Sequence, residues 1–586
     1  MLGSGPSSRL VRDHPLTADF QVTGRNSKAP FTLKLHRGEG MALVAMNWRH
    51  GKPPNDFVGF AIEYNEPGAN RFFPLKNRLA FPGAGGTVDP NRLSTRLSPI
   101  QKFRWVHFPR SAELTGEFVY VVTPVFMNDR DELSYGEPQQ AAIELRRETY
   151  PRQLNVTFTR GFVSSQAFVD RYESAGPIST LLPADADEGL SFVPTHPQTA
   201  QALAWMGFEA RHAILEVLDQ AIADPTARVR VIAYDLNEPD VVSRLEKLGA
   251  RLNVIIDDEG SHGLPQSAET LAEQRLVASA GRLNVKRQHM GKLQHNKTIV
   301  VDGRKVRAAV CGSTNFSWRG FFVQSNNAIV LRGSAAIKPF LAAFDAYWQN
   351  DDVAGFASTA SAQLIELRVG RIDARAGFSP YTKVNALLAK IADDIRNNTT
   401  SCLFYSLAFL YQTPGPILDA IKKVTEDDRI FVYGISDRKV GGINVQKPSG
   451  NIAPVNPAAL GQNAPEPFKS EPVGGGGTRM HHKFVVLDFD KPTARVYLGS
   501  YNFSTAADRQ NGENLLLIRN RRIAVSYTVE ALRIFDHYHF RVVQQEAKKA
   551  KRELVLAMPP RRPGEKPWWD DDYTDAVKIR DRELFA

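Results

Sequence analysis

The first 150 residues alternate apolar and polar positions over short runs, as strands with one buried face do. The runs are rich in β-branched and aromatic residues, are separated by Gly, Pro and Asn, and cover residues 57–65, 101–108, 116–127 and 140–148. A sandwich of the immunoglobulin or fibronectin type fits this pattern. We predict an all-β, sandwich-like accessory domain over residues 1–150. The candidate catalytic residues of the protein lie outside this domain.

From about residue 151 the pattern changes to alternating helices and buried strands, which is typical of an α/β fold. In the first half, helical spacing or strand-like apolar runs cover residues 207–224, 228–236, 251–257, 327–331 and 334–350. The same order recurs at residues 381–397, 401–410, 429–435, 513–518 and 524–541. We therefore predict a duplicated α/β unit, with halves over residues 151–360 and 361–545 and a C-terminal tail over residues 546–586.

Two further segments stand apart from this repeat. Residues 443–479 are rich in Pro, Asn and Gly and cannot form one regular element. A loop of this length is either a tolerated surface insertion or a functional segment, and our hypothesis is that it borders the mouth of a site. The tail is first basic and then rich in Trp and acidic residues. This composition is compatible both with an exposed tail and with an arm packed on the protein.

The first half contains a compact polar pattern around one predicted hairpin. His295 and Lys297 are two positions apart at the start of an apolar strand, so their side chains share a face. Asp302 and the following Gly close the strand with a turn, and the returning strand ends in Gly-Ser-Thr-Asn. Ser313 and Asn315 should therefore lie beside His295.

The second half repeats this pattern with the same internal spacing. His481, Lys483 and Asp488 correspond to the first set, and Ser500 and Asn502 follow the returning strand. The shift between the two histidines is 481 − 295 = 186 positions. His482 occupies the intervening position, so we expect its side chain to point away from the others.

This combination of residues suits a phosphate group. Lysine, serine and asparagine donate hydrogen bonds to an anion, and histidine can act as a nucleophile or an acid near neutral pH. Two copies provide one neutral imidazole to attack phosphorus and one imidazolium to protonate the leaving oxygen, while the lysines and asparagines neutralise the other oxygens. No metal or cofactor is required, and a lysine between the histidine and the aspartate would repel a metal ion.

The doubled H-x-K-x4-D and G-S-x-N motifs resemble the phospholipase D superfamily, most of all a bacterial phospholipase D. The resemblance extends over roughly residues 150–545 and implies two α/β/α halves in a pseudo-two-fold arrangement with one shared cleft. It also implies a phosphohistidine intermediate, with His295 as the nucleophile and His481 as the general acid. Lys297, Lys483, Asn315 and Asn502 would then hold the phosphoryl group. The resemblance gives supporting roles to Ser313, Ser500, Asp302 and Asp488, the two aspartates fixing turns.

The halves differ where members of this superfamily often carry an acid that contacts the histidine. The second half has Glu513, but the first has Asn326 at the corresponding place. An amide can set the tautomer of a neutral histidine, whereas a carboxylate stabilises an imidazolium. We therefore expect Asn326 beside a neutral His295 and Glu513 beside a charged His481.

The substrate is less well defined by the sequence. Aromatic residues near the motifs could line a trough for acyl chains, stack on bases or simply be core; those chosen for substrate binding are Trp318, Phe321, Phe322 and Tyr501. The 73 Lys and Arg residues against 63 Asp and Glu residues give a net charge of +10, which favours an anionic partner such as a lipid surface or nucleic acid. Two cysteines cannot form a disulfide framework.

We expect hydrolysis of the distal phosphodiester of glycerophospholipids, as from phosphatidylcholine to phosphatidic acid and choline, with transfer to alcohols. The alternative is a nuclease of the same superfamily that cleaves DNA or RNA. The expected partner is a phospholipid at a membrane or micelle surface, and no transmembrane segment is predicted. The N-terminus shows no apolar signal-peptide core, so both a cytoplasmic and a secreted location stay open.

Overall fold

A computed structural model describes residues 20–82, 93–109, 111–145, 148–161, 163, 165–183, 189–410, 414–437, 443–447, 452–455 and 480–586.

Two antiparallel sheets occupy the described part of the first 150 residues. One contains β1 (Gln21–Thr23), β2 (Phe31–Gly38), β3 (Met41–Trp48) and β6 (Arg104–His107), in that order. The other contains β5 (Phe73–Pro74), β4 (Phe57–Asn65), β7 (Glu117–Met127) and β8 (Leu133–Tyr135), with β9 (Gln139–Glu144) also paired to β7. Apolar side chains from both sheets, such as Leu33 and Phe118, form one buried cluster. This shared core arises because alternate residues of each strand face the other sheet.

The first α/β sheet has seven strands. Their order is β10 (Leu154–Phe158), β16 (Asn327–Arg332), β15 (Arg307–Gly312), β14 (Lys297–Asp302), β11 (Arg228–Ala233), β12 (Leu252–Ile256) and β13 (Val285–Arg287). The helices of this half are α1 (Ser165–Tyr172), α2 (Thr199–Ala223), α3 (Pro239–Leu248), α4 (Ala268–Ala280), α5 (Ser334–Gln349) and α6 (Val353–Ala357).

The second α/β sheet has nine strands. Their order is β17 (Leu364–Val369), β18 (Ile372–Ser379), β25 (Glu513–Arg519), β24 (Arg495–Gly499), β23 (Lys483–Leu487), β19 (Cys402–Leu407), β20 (Phe431–Asp437), β21 (Ile443–Gln446) and β22 (Ile452–Val455). The helices are α7 (Leu388–Asn398), α8 (Pro416–Thr425), α9 (Thr505–Arg509) and α10 (Arg521–Lys549).

The two sheets share one strand order over six positions. The sequence β10-β16-β15-β14-β11-β12 in the first sheet corresponds to β18-β25-β24-β23-β19-β20 in the second. Buried side chains from both sheets belong to one continuous apolar core. The strand order therefore places the two motif strands, β14 and β23, at matching positions in the middle of their sheets.

Several predicted boundaries shift because of tertiary contacts. The helix expected from residue 381 begins at Leu388, where the carboxylate of Asp508 accepts hydrogen bonds from the backbone N–H of Leu387 and Leu388. These bonds satisfy donors that a helix start leaves free. Helix α10 extends beyond its expected range at both ends, to Arg521–Lys549.

The segment over residues 443–479 is described in part. Its strands β21 and β22 pair with each other at the edge of the second sheet. The hypothesis that this segment borders the site mouth concerns mainly residues 456–479, which lie outside the described residues.

The C-terminal segment is a packed arm. Trp569 is buried in the core between the two N-terminal sheets, and the indole N–H of Trp568 donates to the carbonyl of Phe57 at 3.0 Å. The last helix, α11 (Ala576–Phe585), ends at Phe585, which joins the large α/β core. The arm thus links the N-terminal sheets to the second half. Among the helices that the structure describes, none has the length and apolar character needed to cross a bilayer.

Candidate active site

The two motifs meet through reciprocal pairing between the halves. Gln294, just before His295, forms a parallel bridge with Gly512 of the second half. Met480, just before His481, forms the equivalent bridge with Ser325 of the first half. Each histidine is therefore placed next to the start of a strand from the opposite half.

The structure brings the two predicted histidines together. The ring centroids of His295 and His481 are 6.4 Å apart, with an angle of 72° between the ring planes. Both side chains are buried, with 4% and 7% of their surface exposed. Because reacting atoms approach to about 3–3.5 Å, a single phosphorus atom between the rings would lie within reach of both.

The acid and amide partners of the histidines are crossed between the halves. Nδ1 of His295 lies 2.8 Å from Oε2 of Glu513, and Nδ1 of His481 lies 2.9 Å from Oδ1 of Asn326. The expected pairing of Asn326 with His295 and of Glu513 with His481 is wrong. It assumed that each half completes its own site, whereas strands β16 and β25 begin beside the histidine of the other half.

Burial favours the neutral form of both imidazoles. It lowers the pKa of His295, with Glu513 opposing this change and Lys297 adding to it. Burial also moves the pKa of His481 well below its usual value, and Lys483 and Lys297 lower it further. Since Nδ1 of each ring faces an oxygen acceptor, the neutral tautomer leaves the Nε2 lone pair of each ring unused by these contacts.

The two lysines are held in the same way in each half. Nζ of Lys297 donates to the carbonyl of His295 at 2.6 Å, and Nζ of Lys483 donates to the carbonyl of His481 at 2.7 Å. Lys297 also lies over the ring of Tyr234, with Nζ 4.6 Å from the centroid. Burial lowers the pKa of Lys297 to about 8, with Glu513 and Asp235 opposing the shift. An ammonium has three N–H donors, so Lys297 can also donate to an anion.

The two serines contact the histidine partners. Oγ of Ser313 donates to Oδ1 of Asn326 at 2.9 Å, and Oγ of Ser500 donates to Oε2 of Glu513 at 2.7 Å. Each Oγ also accepts a backbone N–H from the facing strand, at 3.1 Å and 3.0 Å. These contacts orient the oxygen that faces each imidazole. That the two serines support the reaction stays a prediction.

The two asparagines differ in their surroundings. Nδ2 of Asn315 donates to Oδ2 of Asp235 at 2.6 Å, which fixes the orientation of this amide. The side chain of Asn502 is partly exposed. In both residues Oδ1 has no hydrogen-bond partner among the described residues. Asn315 is therefore held by an acid that we did not predict.

The motif aspartates lie at turns away from the histidines. Asp488 is fully buried and accepts backbone N–H groups from Thr400 and Ser401 at 2.9 and 2.7 Å. Asp302 lies opposite Arg307 across the β14–β15 hairpin, and Nε of Arg307 donates to Oδ1 of Asp302 at 3.3 Å. The contact of Asp302 lies within its own hairpin, whereas Asp488 holds the chain just before β19. The turn-fixing role of the two aspartates stays a prediction. His482 points away as predicted, since Nε2 of its ring lies 3.1 Å from Oε1 of Glu530 in the core.

The predicted substrate-binding aromatic residues lie in the core. Trp318 is 4% exposed, and Phe321, Phe322 and Tyr501 are fully buried. The indole N–H of Trp318 donates to the carbonyl of Gly189, and the hydroxyl of Tyr501 donates to Asp508, both at 2.8 Å. Their assignment to an open acyl-chain trough is wrong, because large rings at these strand ends fill the interior beneath the motifs.

A charged cluster next to the first motif was missed by the sequence analysis. Nδ1 of His262 lies 2.9 Å from Asp257, and Nε2 lies 3.3 Å from Asp235, the acid that holds Asn315. Burial would lower the pKa of His262, but hydrogen bonds to Asp235 and Asp257 raise it to about 10. Asp257 also accepts the backbone N–H of Gln294 at 2.6 Å. The cluster thus connects the chain before His295 to Asn315.

The same cluster contains a group of residues that could hold a metal ion. The ligand atoms of Asp235, His262 and Glu269 all lie within 4.8 Å of one another. In the structure, both ring nitrogens of His262 face carboxylates, and Glu269 accepts the backbone N–H of Leu236 at 3.0 Å. These atoms are therefore used in hydrogen bonds within the protein.

Comparison with known proteins places the two motifs in one family. The family described as the PLD-like domain of cardiolipin synthase matches residues 218–348 and 391–535, and each matched segment contains one motif. Phospholipase D of Rickettsia prowazekii is 43% identical over 47 residues, which are 8% of this chain and 21% of that relative. The curated relatives are thus matched over about a fifth of their length.

Solved structures also resemble the chain at low sequence identity. The match to phosphatidylserine synthase of Haemophilus influenzae has 13% identity and a TM-score of 0.40, and covers 59% of this chain and 92% of the other. The match to the phospholipase D family member Nuc of Salmonella typhimurium has 24% identity and a TM-score of 0.20, and covers 24% of this chain and 87% of the other.

The chain belongs to the phospholipase D superfamily. Each of the two matched segments contains one motif, and the short curated match is to proteins named phospholipase D. The resemblance inferred from the doubled motifs is confirmed.

Proposed function

We propose that the protein is a phosphodiesterase that cleaves its substrate through a phosphohistidine on His295. Nε2 of His295 bonds to phosphorus while the bond from phosphorus to the leaving oxygen breaks, and His481 gives that oxygen a proton. Water or an alcohol then attacks phosphorus, passes its proton to His481 and displaces His295. The observation that carries this proposal is the 6.4 Å separation of the two rings.

The assignment of His295 as nucleophile rests on its contact with Glu513. A phosphorylated imidazole that keeps the proton on Nδ1 is cationic, so a carboxylate 2.8 Å away stabilises the intermediate. His481 faces the neutral Asn326 and two lysines, which makes its protonated form a strong acid. The negative charge of an incoming phosphodiester favours protonation of His481 at the moment when it is needed.

The equatorial oxygens of the phosphoryl group would be held by the predicted donors. Lys297 and Lys483 supply charge, and the amides of Asn315 and Asn502 supply further N–H groups. No step in this sequence uses a metal ion. The Asp235–His262 pair would keep Asn315 in place while charge develops on the phosphate.

We propose glycerophospholipids as the substrate, with cleavage of the distal phosphodiester and transfer to alcohols alongside hydrolysis. The support is the description of the matching family and of the curated relatives, which are lipid enzymes by name. The active histidines would act on a phospholipid presented at a membrane or micelle surface.

The second candidate is a nuclease with the same chemistry. The net charge of +10 favours it, together with exposed basic residues near both ends of helix α10: Arg519, Arg521, Lys548, Lys549, Lys551 and Arg552. Such residues could contact nucleic-acid phosphates.

One experiment separates the two candidates. The purified protein is incubated in chelator with phosphatidylcholine vesicles plus ethanol, and separately with single- and double-stranded DNA and RNA. Phosphatidic acid or phosphatidylethanol supports the lipid enzyme, and shortened nucleic acid supports the nuclease. The activity should disappear in both His295→Ala and His481→Ala and persist in the control His212→Ala, whose side chain is 49% exposed. Absence of both activities in the wild type would contradict the proposal.

We also propose the following division of the chain. Residues 1–150 would form the accessory β domain, residues 151–360 and 361–545 the two catalytic halves related by a pseudo-two-fold axis, and residues 546–586 the C-terminal arm. The matching strand orders support the two halves, and the shared core of the N-terminal sheets supports the accessory domain.

A further inference from the structure

A cavity lies where the N-terminal sheets, the first half and helix α10 meet. Its volume is about 720 Å³, which is within the usual range of small-molecule sites. Its walls include aromatic rings from three parts of the chain, Trp105, Trp205 and Phe540. The histidines, lysines and asparagines of the candidate active site do not line it. The cavity is therefore a separate site.

The walls of this cavity are strongly basic. Six cationic side chains line it, namely Lys76, Arg78, Lys102, Arg160, Arg171 and Arg533. Among the described residues, the lining contains one carboxylate, that of Asp536, and this group already forms an ion pair with Arg104 at 2.6 Å. Arg533 is paired with Glu530. Among the described residues, the other five wall cations lack a carboxylate within ion-pair distance.

Arg160 is the buried member of this set. It is 4% exposed, and its guanidinium lies 4.0 Å, 4.2 Å and 4.5 Å from the ring centroids of Phe108, Trp205 and Phe208. Its Nε has no hydrogen-bond acceptor among the described residues. Aromatic faces offset part of the cost of burying a cation, but they do not replace an acceptor for its N–H groups.

His537 provides a second unsatisfied group in the lining of the cavity. It is 8% exposed, and its Nε2 has no partner among the described residues. Burial moves the pKa of His537 well below its usual value, and Arg78 and Arg541 lower it further. A neutral ring with the proton on Nε2 would donate to an anion in the cavity.

We propose that this cavity binds a phosphorylated small molecule that carries at least two negative charges and an apolar or aromatic portion. The phosphate groups would contact Arg160 and the exposed lysines and arginines at the rim, and the remaining portion would lie against the tryptophan rings. Phosphate oxygens supply the acceptors that Arg160 and His537 lack. The proposal does not depend on the reaction at His295 and His481.

Titration calorimetry with the His481→Ala variant tests this site without turnover. The probes are ADP, inorganic tripolyphosphate and dioctanoyl phosphatidic acid, which separate a soluble nucleotide, phosphate alone and a lipid phosphate as sources. We expect at least one probe to bind. Adding Lys102→Glu or Arg78→Glu should weaken that binding at least tenfold, because both side chains are exposed at the cavity.

The matched control is Lys390→Glu, an exposed lysine on α7 outside the cavity, which should leave the affinity unchanged. Absence of binding by all three probes would overturn the proposal. Binding that Lys102→Glu and Arg78→Glu leave unaltered would also overturn it, because the probe would then occupy the active site or another surface.

Discussion

Oε2 of Glu513 lies 2.8 Å from Nδ1 of His295, although 218 positions separate them and they belong to different halves. The reciprocal contact joins His481 to the amide of Asn326 at 2.9 Å. The duplicated site is therefore chemically unequal, with a carboxylate behind one imidazole and a neutral amide behind the other. This inequality gives each histidine a different expected role.

The first prediction tests these roles with the leaving group. A p-nitrophenyl phosphodiester releases an anion that needs no proton, so it bypasses the general acid. We expect His481→Ala to retain release of the first p-nitrophenolate equivalent in a rapid-mixing experiment. His295→Ala should lose this burst, because no group remains to attack phosphorus. The reverse result, a burst in His295→Ala and none in His481→Ala, would assign the nucleophile to His481.

The second prediction concerns the carboxylate itself. Glu513→Gln keeps the shape of the side chain but removes the charge behind His295. By analogy with loss of the acid in a catalytic triad, we expect the single-turnover rate of phosphohistidine formation to fall roughly 10²–10⁴-fold. The control Glu366→Gln alters an exposed acid on β17 and should retain the wild-type rate. An unchanged rate in Glu513→Gln would show that this contact only orients the ring.

The motifs and their local elements could be predicted because strand periodicity is a local property. The spacing of His295 and Lys297 placed both at the start of one strand; β14 begins at Lys297, and His295 lies two positions before it. The crossed partners could not be predicted in this way. Whether Glu513 faces His295 or His481 depends on how the halves dock, which no pattern within either half encodes.

The Asp235–His262 cluster escaped prediction for a related reason. The sequence repeat points only to residues that both halves share, and Asp235 is not one of them. The second half has Phe409 at the matching position. Each of these residues lies two positions after the residue that pairs with the motif lysine. The burial of the aromatic residues could not be predicted either, since an apolar side chain at a strand end is equally compatible with a cleft and with a core. The available signal for the cluster was the segment Asp-Asp-Glu-Gly-Ser-His, residues 257–262, in which three acids closely precede a histidine.

The third prediction is the pH dependence of kcat/KM for a p-nitrophenyl phosphodiester, which reports groups of the free enzyme. The leaving p-nitrophenolate needs no proton, so the protonation of His481, whose pKa lies well below its usual value, does not limit this profile. Attack requires the neutral form of His295. Its pKa is lowered from the ordinary value of about 6.5, so the loss of activity by protonation should begin only below about pH 6.5. Phosphate binding requires charged Lys297, whose pKa is lowered to about 8. Activity should therefore fall again above pH 8.

A comparison with kcat provides the internal check of this profile. A bound phosphodiester anion stabilises the charged lysine, so the alkaline fall should move to higher pH in kcat than in kcat/KM. An alkaline limb at the same pH in both profiles would argue against Lys297 as the group that titrates. A control titration of Lys390→Arg should reproduce both wild-type profiles, since this lysine is exposed on α7.

The fourth prediction separates core packing from substrate binding at the aromatic residues. Phe321 is fully buried, so Phe321→Ala should lower the free energy of unfolding by about 3–5 kcal/mol, as large-to-small core substitutions do. The matched control Phe72→Ala, at a ring that is 43% exposed, should change it by no more than about 0.5 kcal/mol. Urea unfolding measures both values. For the folded fraction of Phe321→Ala we expect an unchanged KM for phosphatidylcholine, because the ring does not reach the cleft. A raised KM at unchanged stability would instead show that Phe321 belongs to the substrate-binding surface.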